Sequence, residues 1–145
     1  MSLTPVNPPA LGTPRGYSNG MVAAAGGRLL FVAGQIGWDG EQHFVSPEFL
    51  PQFERALENV LVVVTAAGGR AEHIGRLTLY VVDKTEYTAD LRAVGGAYRR
   101  VLGRHYPAMS LVEVKSLLEP LARVEIEATA VLPGGHTGEH DGETR

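Results

Sequence analysis

Cysteine is absent from the 145 residues. That excludes a disulfide framework, a thiolate nucleophile and any cysteine-based zinc site. A basic excess is missing too: 13 lysines and arginines stand against 16 aspartates and glutamates, for a net charge of −3. A dedicated nucleic-acid binder ordinarily carries the opposite balance. No apolar run reaches the length needed to span a bilayer. The opening stretch, MSLTPVNPPALGTPRG, is rich in Pro and Gly, lacks an apolar centre and does not read as a secretory signal. What is present is ordinary for a globular domain: 44% hydrophobic and 20% charged residues. A single domain of this length buries roughly 70% of the surface its unfolded chain exposes. The expectation is a soluble cytoplasmic protein with a real core.

Residues 1–15 read as an irregular arm, residues 16–132 as the domain, and residues 133–145 as a disordered, low-complexity tail. In the tail, His136 and His140 stand four apart, a spacing that could hold a metal on a helix. Glycines flank them and no third ligand is evident, so no metal site is expected. Near the start of the domain, Gly26-Gly27 separates two short apolar runs, Met21–Ala25 and Leu29–Ala33, and predicts a tight hairpin. Ser46-Pro47 predicts a helix start, with Ser46 as the cap. Phe49, Leu50, Phe53, Leu57, Val60, Leu61 and Val64 then recur at three- and four-residue spacing, and Gly68-Gly69 stops the pattern. This helix of about 20 residues would be about 30 Å long. RLTLYVVD alternates as a strand. Asp90–Leu102 reads as a second helix with Leu91, Val94, Tyr98 and Val101 on its apolar face. Gly95-Gly96 interrupts that helix at a cost of roughly 1 kcal/mol per glycine, which suggests close packing against a neighbour. Ser110–Lys115 and Arg123–Leu132 complete the strands. The order predicts an α/β (α+β) fold, a mixed six-stranded sheet with two helices on one face.

Two helices leave the other sheet face without cover. In the last strand Val124, Ile126, Ala128 and Ala130 share one parity, and Glu125, Glu127 and Thr129 share the other. Leu111, Glu113 and Lys115 are assigned to the same side as the glutamates. Such a face is either solvated or packed against other copies of the chain, with carboxylates at the seams.

GYSNG at 16–20, FVAGQIG at 31–37, ALENVLVVVTAAGG at 56–69, RLTLYVVD at 76–83 and YPAMSLVEVKSLLEPLARVEIEATAV at 106–131 resemble, in unbroken order, the reactive-intermediate deaminase family, also called RidA, YjgF or L-PSP endoribonuclease. The resemblance implies a chorismate-mutase-like fold, a homotrimer and small-molecule sites in the clefts between subunits. It implies no cofactor, no metal and no membrane partner. The family's activity is hydrolysis of imines and enamines of 2-amino acids. Carried over, it makes Glu125 the residue that activates water and Tyr17 its catalytic partner. It assigns Gly34 and Gln35 to a binding turn, and Ala108 and Ser110 to the substrate-binding strand.

One position departs from the family. Its P-A-R-S motif holds the substrate carboxylate with an arginine, and here Met109 stands in that place. A helix asparagine of the family is also missing, with Gly95 the nearest match. Each charge-assisted hydrogen bond of an arginine to a carboxylate contributes about 1.5–3 kcal/mol, so one lost contact weakens binding roughly ten- to a hundredfold. A thioether donates nothing and suits an apolar or aromatic group instead. A standard 2-imino acid is therefore not the expected preferred ligand, unless Arg104 or Arg123 substitutes. Three readings follow: a deaminase-like hydrolase of altered specificity, a metabolite-binding module without chemistry, and an endoribonuclease. The acidic charge and the lack of a basic stripe or aromatic platform count against RNA.

Overall fold

The stripe that begins at Phe49 folds as helix α1, Phe49–Ala66, in the computed structural model of the chain, which describes residues 3–134. His136, His140 and the rest of the tail from residue 135 lie outside the described residues. Phe49, Phe53, Leu57, Val60 and Val64 are buried as the spacing predicts, flanked by half-buried Leu50 and Leu61. The helix starts later than Ser46-Pro47 suggests. The Glu48 N–H donates to Ser46 Oγ (3.0 Å), so Ser46 closes a turn just ahead of the helix. Gly68, at φ +92°, ends it.

Among the described residues six strands form, but over two sheets rather than the single six-stranded sheet expected. Strands β1 (Leu3–Val6) and β2 (Gly20–Ala23) make an antiparallel ribbon. Strands β3 (Arg28–Gln35), β4 (Ile74–Val81), β5 (Ala108–Glu113) and β6 (Val124–Leu132) make a mixed sheet in the order β3-β6-β4-β5. Only β4 and β5 run parallel; helices α2 (Lys84–Thr88) and α3 (Leu91–Leu102) lie in the crossover between them. The α+β class, with helices packed on one sheet face, is the one expected. The short α2 was not, since a single turn leaves no periodicity. Its mark is Asp83, whose carboxylate accepts the Thr85 N–H (3.0 Å) as a cap.

The arm is partly regular: Leu3–Val6 is the sixth strand. Pro5 hid it, because a proline is tolerated there only on a strand with a free edge. The Gly26-Gly27 turn exists, with Gly26 at φ +91°, yet its flanking strands do not pair. Strand β2 pairs with β1, and β3 pairs with β6 from Arg28↔Leu132 to Val32↔Ala128. The end of β6 runs against the turn, where a Cβ on Gly134 would overlap the Gly26 carbonyl oxygen.

The parity of β6 holds: Val124, Ile126, Ala128 and Ala130 are buried under the helices, and Glu125, Glu127 and Thr129 face away. The parity assigned to β5 does not. Leu111 pairs with the buried Leu79 and packs on the core, so Ser110 and Val112 share the face of the glutamates. Strand β5 stops at Glu113, whose Oε1 accepts the Lys84 N–H (3.0 Å), and Lys115 lies beyond it. Leu29 and Phe31 on β3 remain 63% and 74% exposed.

Candidate functional site

Glu125 sits where β6 passes a bulge in β3. Val32 pairs with Ala128 and Gln35 with Ile126, so β3 carries one residue more than β6 across this step. The bulge brings Gly34 down onto the Glu125 side chain. A Cβ on Gly34 would collide with the Glu125 carboxylate, which thus occupies a notch that only glycine leaves open. Gln35 closes the bulge, its Nε2 donating to the Ala33 carbonyl (3.0 Å). Across the ladder from Glu125 is Tyr80, whose hydroxyl donates to Glu127 Oε2 (3.1 Å). That carboxylate beside it raises the Tyr80 pKa, so the phenol stays a donor. Ser110 lies on the same face and accepts a long contact (3.4 Å) from Arg76 Nη2.

Met109 points the other way. It pairs with the buried Leu77 and packs on the core under α3. With Phe53, Leu79, Val94 and Tyr98 it lines a cavity of about 320 Å³. Tyr98 stacks on Tyr106 with ring centroids 5.4 Å apart, and its hydroxyl donates to the His105 carbonyl (2.6 Å). Burial raises the Tyr98 pKa, which keeps that hydroxyl neutral. The exposed residues on the cavity lining include Arg15 and Arg99.

Tyr17 belongs to a neighbouring crevice between the N-terminal segment and the body, together with Arg104 and His105. Gly16 and Tyr106 are common to both cavities, so Tyr17 stands next to the Met109 side of the sheet. Ser18 pins this segment: its N–H donates to the Pro107 carbonyl (3.0 Å), its Oγ donates to the Tyr106 carbonyl (2.6 Å), and it bridges to Ala108.

A family profile described as endoribonuclease L-PSP matches residues 9–132. The chain belongs to this family, the RidA/YjgF proteins. Among its relatives, a 2-iminobutanoate/2-iminopropanoate deaminase of Salmonella typhimurium is 32% identical over 108 residues, 72% of this chain and 80% of that protein. Protein DfrA of Myxococcus xanthus is 32% identical over 116 residues, 79% of this chain and 84% of its own. A Rid-family protein of unknown function from Yersinia pestis, YyfB, superposes with a TM-score of 0.81 at 31% identity, covering 91% of this chain and all of that one (100%). Escherichia coli TdcF, solved with bound serine, gives a TM-score of 0.61 at 28% identity, covering 83% of this chain and 91% of its own.

Within a single RidA/YjgF chain the site residues fall into two groups. Glu125, Gly34 and Ser110 lie on the open sheet face, with Gln35 at the bulge. Met109 faces the helix layer, with Tyr17 in the adjoining crevice, while Ala108 has the parity of Ser110 on β5. Neither Arg104 nor Arg123, the two arginines that could stand in for the family arginine, lines the Met109 cavity. Arg123 makes a two-pronged contact to Glu86, with Nε and Nη2 at 3.1 and 2.8 Å from its two carboxylate oxygens. Arg104 lines the Tyr17 crevice. Two arginines not singled out in the sequence, Arg15 and Arg99, share a cavity with Met109. Gly95 is not packed against another element: the nearest atoms to a Cβ placed there belong to Arg99, at 3.2 Å. The spacing was legible, since residues four apart on a helix are neighbours.

Proposed function

We propose that the chain acts as a homotrimer and hydrolyses the C=N bond of an imine or enamine in a cleft between copies. The observation that carries this reading is Glu125, lodged in the glycine notch of the β3 bulge on a sheet face that leaves Phe31 and Leu29 exposed. Burying such a face takes another copy, which would also bring the Glu125 group of one chain to the Met109 and Tyr17 group of the next. The deaminase relatives support the reaction class.

In this reading Glu125 accepts a proton from water as its oxygen attacks the imine carbon. The substrate enters protonated on nitrogen, so the C=N π electrons neutralise the iminium as they move there, and a neutral tetrahedral carbinolamine results. Glu125 then passes its proton to the nitrogen. The hydroxyl returns its proton to the freed Glu125 carboxylate as the carbonyl forms and ammonia leaves, and ammonia carries that proton away, so water and iminium give a carbonyl compound and ammonium. An enamine enters by protonation at carbon, which gives the same iminium. A positioned carboxylate contributes about 10²–10⁴-fold in such proton transfers. Tyr17 orients the substrate from its crevice. Met109 offers an apolar wall where the family has a cation, so the substrate is not held by strand β5 through a carboxylate.

The test is hydrolysis of imines generated in situ from leucine and from serine by an amino-acid oxidase, with semicarbazide as competing trap. Glu125→Gln should lose at least a hundredfold in rate. Retention of the rate within threefold would remove Glu125 from the mechanism. The second reading, a metabolite-binding module, is favoured by the apolar character of the Met109 cavity. It predicts ligand binding that survives Glu125→Gln and no turnover of any imine.

A further inference from the structure

We infer that Arg99, on helix α3, is the anion-binding residue of the Met109 cavity, and that this cavity takes a carboxylate with an apolar body. The inference rests on the proposed hydrolase reading for its role in turnover, but the binding site stands on its own geometry.

Three observations lead there. First, the cavity combines an apolar wall with cations. Leu79, Val94, Tyr98 and Met109 line it, and Arg15 and Arg99 are its cationic lining residues. At about 320 Å³ it lies at the small end of the range for small-molecule sites. Second, Arg99 has no acidic partner among the described residues. Its neighbour Arg100 is held by Glu54 at 2.8 Å, and Arg123 by Glu86 at 2.8 Å. Arg70 pairs with Glu72 at 2.9 Å. Arg15 and Arg99 make no such contact among the described residues and carry their charge beside an apolar pocket. Third, the helix makes room for this arginine. A Cβ on Gly95 would stand 3.2 Å from Arg99 Nη1, so the guanidinium lies back along its own helix over a glycine. A larger side chain at position 95 would lift it away.

The cation that strand β5 lacks at Met109 is thus offered from the helix across the cavity. The shift changes what fits. A carboxylate drawn toward Arg99 leaves its organic body against Met109, Leu79 and Tyr98, so apolar side chains are favoured over small polar ones. Arginine presents a planar fork suited to two-point contact with a carboxylate. The substrate class is therefore a 2-imino acid with a branched aliphatic or aromatic side chain, and its product is the matching 2-oxo acid.

The test is binding rather than turnover, measured by calorimetry with 4-methyl-2-oxopentanoate and with its uncharged methyl ester. The unmodified protein should bind the acid at least tenfold more tightly than the ester. Arg99→Gln should weaken the acid roughly ten- to a hundredfold and leave the ester unchanged. Arg99→Lys should recover part of the loss, and Arg92→Gln, on the same helix but away from the cavity, should do nothing. Gly95→Ala should weaken the acid without removing the charge. Equal binding of acid and ester, no binding of the acid at millimolar concentration, or unchanged acid binding in Arg99→Gln would each overturn the inference. Glu125→Gln separates it from the hydrolase reading. Acid binding that survives in that variant while hydrolysis is untouched overturns the mechanism and leaves the Arg99 site standing.

Discussion

Gly34→Ala is expected to abolish imine hydrolysis while leaving the fold close to its original stability. The backbone at Gly34 is not in the left-handed region, so alanine can adopt it without strain. Loss of glycine's freedom in the unfolded chain should itself stabilise by about 0.4–1 kcal/mol. Against that stands the collision with Glu125. The added methyl would lie 2.7 Å from its Cδ and 2.8 Å from its Cγ, so rotating the carboxylate end alone cannot relieve the clash. Strand β6 is held by ladders on both sides, which fixes the Glu125 backbone. The side chain must therefore leave the notch, at a cost of about 0.5–1.5 kcal/mol if it strays from a rotamer well. The two effects nearly cancel, and Tm should move by no more than about 5 °C. The rate should fall about 10²–10⁴-fold, the contribution of a positioned general base. Thermal melting and the semicarbazide competition assay on one sample read both. If hydrolysis stays within threefold, or if Tm drops by more than about 10 °C together with the rate, the notch does not serve to position Glu125.

Met109→Arg returns a cation to strand β5 and should raise hydrolysis of the serine-derived imine ten- to a hundredfold, with a smaller gain for the leucine-derived one; no gain would mean that Met109 does not face the substrate. Phe31→Asp places a charge on the exposed sheet face and should shift the protein toward monomer in sedimentation while turnover falls in parallel. An unchanged mass would show that this face is not the seam. His73 is buried, its Nδ1 accepts the Arg70 N–H (2.9 Å), and desolvation holds its pKa below the ordinary 6.5. The unfolded chain therefore binds a proton that the folded one resists, so stability is full above pH 6.5 and declines as the pH falls below it. Urea midpoints at pH 7.5 and 5.5 should differ more for the unmodified protein than for His73→Gln; an equal difference would assign the pH effect to other groups.

Much of the fold was legible because its signals are local. The stripe from Phe49 to Val64 and the alternation of Val124 to Leu132 each record, along one element, which side meets the core. The order of motifs from Gly16 to Val131 carried the family, and with it Glu125 and Met109 as positions of interest. Tertiary structure decided what those signals do not encode. Strand pairing is a long-range choice, so the turn at Gly26-Gly27 was visible and its partners were not. Parity within β5 depended on whether Ser110 or Leu111 met the core, and pairing with Leu79 settled it. The bulge that seats Glu125 against Gly34 exists only because β3 and β6, 91 residues apart in sequence at this point (Gly34 and Glu125), differ by one residue in register. Gln52 was hidden for a like reason: a polar side chain on an apolar stripe is buried only where carbonyls of Ser46 and Leu121 wait to accept its amide, at 2.9 and 3.0 Å. Arg99 became a candidate when Met109 turned toward the helices, for the charge of a residue acquires a function from what the fold sets beside it.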